Sequence, residues 1–141
     1  MLDALSGKKK MNWLNLNYTK PQMDQVKKLK NIYGNINTFD TFRGFNIGLN
    51  DDLLEQLLQG MLDSSQKPLA LTMIILSYSN FGPKSLPLLT EFTSKCKVLN
   101  TIHLTDVGLR GNEFTKFLKS LDHTAQTGVL KILGLNKNDL S

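Results

Sequence analysis

His103 and Asp106 stand three residues apart, close enough for an acid–base pair, and Cys96 lies between Lys95 and Lys97, whose charges would favour a thiolate if the sulfur were exposed. The second histidine, His123, follows about twenty residues later, beyond a predicted helix, and so lies on a different part of the unit from His103. The chain contains no H-E-x-x-H, no paired-cysteine motif, no glycine-rich phosphate loop and no nucleophile elbow. His103 is therefore read as a contact residue, Cys96 as a small buried side chain, and neither catalysis nor a metal or other cofactor is expected.

Charge offers a second kind of chemistry. Residues 1–35 carry seven lysines against Asp3 and Asp24, whereas ten basic side chains balance ten acidic ones from residue 36 onward, so the net charge of +5 is local to the first quarter. The stretch KKKMNWLNLNYTKPQMDQVKKLK interleaves those lysines with Trp13 and Tyr18, which is the composition of a binder of nucleic acid or anionic surfaces. Against that reading, Lys27, Lys28 and Lys30 flank the apolar Val26 and Leu29 on a predicted helix, where lysines are the solvated face, and Lys8 to Lys10 precede the first predicted strand. Nucleic acid is thus the alternative partner rather than the expected one.

Compartment and class follow from composition. One cysteine excludes an internal disulfide framework and suits a reducing compartment such as the cytoplasm. The opening MLDALSGKKK puts its few apolar residues ahead of the lysines, the reverse of a secretory signal, and no run reaches the roughly 18 apolar residues that span a bilayer. A chain of 141 residues, 40% hydrophobic, is expected to form a single domain over residues 1–141.

The elements that must position these residues emerge from self-similarity. The last stretch, VLKILGLNKNDLS, fits L-x-x-L-x-L-x-x-N-x-L with Leu130, Leu133, Leu135, Asn138 and Leu140. The same template fits Leu99, Ile102, Leu104, Val107 and Leu109; Leu71, Ile74, Leu76, Ser79 and Phe81; Phe39, Phe42, Gly44, Ile47 and Leu49; and Met11, Leu14, Leu16, Thr19 and Pro21. Copies therefore begin at 11, 39, 71, 99 and 130, with spacings of 28, 32, 28 and 31 residues. Between them lie helical stripes, Leu54, Leu57, Leu58 and Met61 in one segment and Phe114, Phe117, Leu118 and Leu121 in another. Gly82-Pro83 and Gly111 break the chain between strand and helix, and Asp51 and Asn112 are candidate helix caps. Each unit reads as strand, loop, helix, and the helical crossover requires neighbouring strands to run parallel.

This pattern resembles the leucine-rich repeat, and its period with a full helix is similar to the ribonuclease-inhibitor-like class. The resemblance implies an α/β solenoid: a curved parallel sheet of about five strands, with about four helices on the convex side. The family usually places Asn or Cys at position 9 of each copy, where it hydrogen-bonds the backbone of adjacent turns; here that row reads Thr19, Ile47, Ser79, Val107 and Asn138, so the other turns must satisfy their backbone by other means.

The resemblance also places positions 3, 5, 7 and 8 of each copy on the concave face, in keeping with side-chain alternation along a strand. That face would carry Trp13, Tyr18, Arg43, Phe45, Met73, Ile75, Tyr78, His103 and Asp106, together with Asn46, Ser77 and Thr101. Aromatic residues and methionine rimmed by Arg43, Asn46 and His103 have the composition of a protein-binding hot spot. A protein partner is therefore expected, in the manner of a scaffold or inhibitor. Degenerate copies are also found in bacterial effectors that act inside host cells, and the asparagine- and lysine-rich composition is similar to that of an AT-rich bacterial genome. The last copy is incomplete and MLDALSGKKK resembles the tail of a preceding helix, so the expectation is either a longer solenoid or end-to-end self-association.

Overall fold

A computed structural model of the chain describes residues 13–35, 40–63, 71–82, 84–126 and 129–139. Met11 and Phe39, the first positions of two copies, and Lys8 to Lys10 lie outside the described residues, as do Pro83 and Leu140.

Strands and helices alternate without exception among the described residues: β1 (Trp13–Asn15), α1 (Met23–Asn35), β2 (Thr41–Arg43), α2 (Asp51–Asp63), β3 (Met73–Ile75), α3 (Ser85–Lys95), β4 (Thr101–His103), α4 (Gly111–Gln126) and β5 (Ile132–Gly134). The strands form one parallel sheet in chain order, β1-β2-β3-β4-β5. Leu14, Phe42, Ile74, Ile102 and Leu133 are register partners across it, and each is the fourth residue of its copy. The register is therefore the one the template alignment sets.

Successive crossovers of one hand, each stepping to the next strand in the same direction, put every helix on the same side of the sheet. Consecutive helices pack on one another, α1 on α2, α2 on α3 and α3 on α4. The core lies between the two layers. Leu54, Leu57, Leu58 and Met61 of α2 and Phe114, Phe117 and Leu121 of α4 are buried there beneath Leu14, Phe42, Ile74 and Ile102 of the sheet. Each such side chain contributes about 1.5–3 kcal/mol through its removal from water. Val26 and Leu29 are buried while Lys27 and Lys28 are exposed, so α1 carries these two lysines on the solvated side.

Strands of only three residues stay registered because pairing continues past them. Leu16 donates its backbone N–H to Arg43 O (2.8 Å), Gly44 to Ile75 O (2.7 Å), Leu76 to His103 O (2.9 Å) and Leu104 to Gly134 O (2.8 Å). One residue pair further on, Tyr18 donates to Phe45 O, Asn46 to Ser77 O, Tyr78 to Thr105 O and Asp106 to Asn136 O, at 2.8–3.0 Å. These bonds satisfy the turns' backbone groups even where position 9 holds no asparagine.

Where Asn is present at that position, in Asn138, it acts on the preceding unit. Its Oδ1 accepts the N–H groups of Val107 (3.1 Å) and Leu109 (3.3 Å), and its Nδ2 donates to Leu104 O (2.7 Å) and Leu135 O (2.9 Å). In other units position 7 supplies the side-chain acceptor: Asn17 Oδ1 accepts Phe45 N–H at 2.9 Å and Ser77 Oγ accepts Thr105 N–H at 3.1 Å. Ile47 and Val107 at position 9 are instead buried in the core. Gly44 shows why this suits Ile47. A Cβ at Gly44, where the other copies have leucine, would come within 2.8 Å of Ile47 Cδ1 and 2.9 Å of Phe42 Cε1, so those two side chains already occupy the missing leucine's volume.

The caps differ from the expectation. Asn50, not Asp51, caps α2, with Oδ1 accepting Leu53 N–H at 3.0 Å, and Asn112 lies within α4 rather than ahead of it. The Asp51 carboxylate points to the next unit, where Oδ1 accepts Gly82 N–H (2.7 Å) and the Ser85 hydroxyl proton. Lys84, ahead of α3, makes no side-chain capping bond, and Asp51 of the preceding unit places a carboxylate beside the first residue of α3, a charge that a helix N-terminus favours.

Candidate functional site

The sheet face opposite the helices carries two rows of side chains fixed by the register. Trp13, Thr41, Met73, Thr101 and Ile132 form one, and Asn15, Arg43, Ile75, His103 and Gly134 form the other. Neighbours within a row lie one strand spacing apart, about 4.8 Å. Trp13 is 63% exposed and Ile132 50%, Arg43 is exposed, and Met73, Ile75 and His103 are half-buried. Apolar side chains thus alternate with threonines along one row, and Arg43 lies beside Ile75 in the other.

Not every position on this face reaches solvent. Thr101 is only 4% exposed, between Met73 and Ile132 in its row, and its hydroxyl donates to Asn100 Oδ1 at 2.8 Å. Ser77, read as an outward residue, is 1% exposed and holds the Thr105 backbone. Its small polar side chain serves the turn rather than a surface.

The turns beyond the strands bring the aromatic residues together. Position 8 of every copy has a left-handed backbone, with φ of 62° at Tyr18, 52° at Asn46, 59° at Tyr78, 54° at Asp106 and 58° at Lys137. Asn and Asp tolerate that conformation, while for tyrosine it costs on the order of 1–2 kcal/mol. The left-handed residue interrupts strand alternation, so rings at position 8 of units one and three meet a ring at position 7 of unit two. Tyr18 packs edge-on against Phe45 with centroids 5.4 Å apart, and Phe45 lies 4.7 Å from Tyr78 at 54°. Such tilted geometries are favoured by the ring quadrupoles. Tyr18 remains 65% exposed at one end of this row, and Phe45 and Tyr78 are half-buried.

At the other end the ammonium group of Lys137 sits 5.3 Å from the centre of the Tyr78 ring. Lys137 belongs to the fifth unit and Tyr78 to the third, so this cation spans the intervening turn at Asp106. In the sequence, the signal for this pairing is that Lys137 and Tyr78 both stand at position 8 of their copies.

His103 and Asp106 do not form a unit. The His103 ring lies against Gly134 of β5, where an added Cβ would collide with Nδ1, and no hydrogen bond joins the two side chains among the described residues. Asp106 is exposed in its turn. Cys96 is fully buried at the end of α3, and desolvation pushes its thiol up to about 12, so the flanking lysines do not yield a thiolate. Among the described residues no group of three His, Cys, Asp or Glu side chains could hold a metal ion, and no helix is long and apolar enough to cross a membrane.

The elements of this face are thus brought together in two groups: Trp13, Met73, Ile75, Arg43 and His103 on the strands, and Tyr18, Phe45, Tyr78 and Asp106 in the turns. No protein-family profile and no curated protein matches the chain. Eight chains of solved structures do. Among them is a structure titled leiomodin-1 actin-binding site 2, which superposes with a TM-score of 0.75 over 96% of this chain and 76% of that one, at 14% identity. At that identity the likeness is one of fold.

Proposed function

We propose that this chain is a protein-binding module of the leucine-rich-repeat type, similar to the ribonuclease-inhibitor-like class, and that it engages its partner through the outer face of the sheet. It acts by binding, with no catalysis and no cofactor. The observation that carries this reading is the row Tyr18–Phe45–Tyr78 in the turns, together with exposed Trp13 on the strands, on the side of the sheet away from the described helices. Rigid aromatic side chains of this kind supply large contact area at low entropic cost, and they are the usual anchors of protein interfaces. Five register-matched units support the repeat assignment. The buried, unpaired Cys96 supports a reducing, cytoplasmic setting, which would be a host cell's if the chain is a bacterial effector.

The structural neighbour's title names an actin-binding site, which makes actin the first defined probe, alongside affinity capture from cell extract scored by mass spectrometry. Wild type and the Phe45→Ser/Tyr78→Ser double variant are compared in parallel. The expected result is a protein retained by the wild type and lost from the double variant, with the thermal melt changed by only a few degrees. Equal retention by both proteins would sink the proposal, as would collapse of the melt. Retention that follows Lys27 and Lys28 and vanishes with added salt would replace it with binding to nucleic acid or an anionic surface.

A further inference from the structure

We draw no further inference here: the strongest candidate, the aromatic row of Tyr18, Phe45 and Tyr78 across the turns of the outer sheet face with Lys137 over its end, belongs to the site already described, and nothing in the structure shows what covers it.

Discussion

The ring of Phe45 lies 4.7 Å from that of Tyr78, although Phe45 is the seventh residue of its unit and Tyr78 the eighth of the next. The left-handed backbone at Tyr78 allows this, because it turns the eighth side chain onto the side that strand alternation assigns to the seventh. A double-mutant cycle of Phe45→Ala and Tyr78→Ala, read by urea denaturation, should give a coupling energy of about 0.5–1.5 kcal/mol. Additive single effects would mean that the rings are neighbours without interacting.

Asn138 should matter more to stability than its exposure suggests. Its amide makes four bonds to backbone groups, three of them on the preceding turn. Asn138→Ala should lower the free energy of unfolding by about 1–3 kcal/mol, since it strands the N–H groups of Val107 and Leu109. Asn138→Asp keeps the acceptor but sets a carboxylate against Leu104 O and Leu135 O, so it should be no better. A denaturation midpoint unchanged in both variants would contradict this assignment.

Gly44 is held small by its neighbours. Gly44→Ala brings a methyl group to 2.8 Å from Ile47 Cδ1 and should cost about 1–3 kcal/mol through overpacking. Adding Ile47→Val removes that Cδ1 atom and should recover part of the loss, even though Ile→Val alone in a core costs about 0.5–1.5 kcal/mol. Strictly additive effects would show that Ile47 does not fill the glycine's space.

Cys96 should be silent toward thiol reagents in the native protein and react only on unfolding. Its pH dependence has a definite sign. Burial raises the thiol from 9.0 to about 12, so between those values the unfolded chain releases the proton first. The stability Cys96 contributes is complete below pH 9.0 and is lost as pH rises towards 12, with a slope of at most about 1.4 kcal/mol per pH unit. Cys96→Ala should remove this component, visible as a shallower fall in unfolding free energy above pH 9.0 than in the wild type. Rapid labelling of the folded protein would overturn both expectations.

The pattern of leucines determined the architecture to the level of register. Aligning Leu14, Phe42, Ile74, Ile102 and Leu133 by template is a statement about which side chain of each strand must leave water, and burial imposes that demand locally, at a period of two in strands and 3.6 in helices. For the same reason the helix stripes at Leu54 to Met61 and Phe114 to Leu121 and the exposed Lys27 and Lys28 of α1 were legible in the sequence. Tertiary structure alone decided the long-range polar and packing partners. Asp51 binds Gly82 N–H and the Ser85 hydroxyl of the next unit instead of capping its own helix, Ser77 turns inward to hold Thr105, Ile47 fills the gap at Gly44, and Lys137 reaches Tyr78 across an intervening turn. All of these contacts except that of Ile47 with Gly44 join groups of different units. Their geometry depends on how units stack and on a left-handed backbone at position 8, and no residue type in the row Tyr18, Asn46, Tyr78, Asp106, Lys137 uniformly announces that conformation.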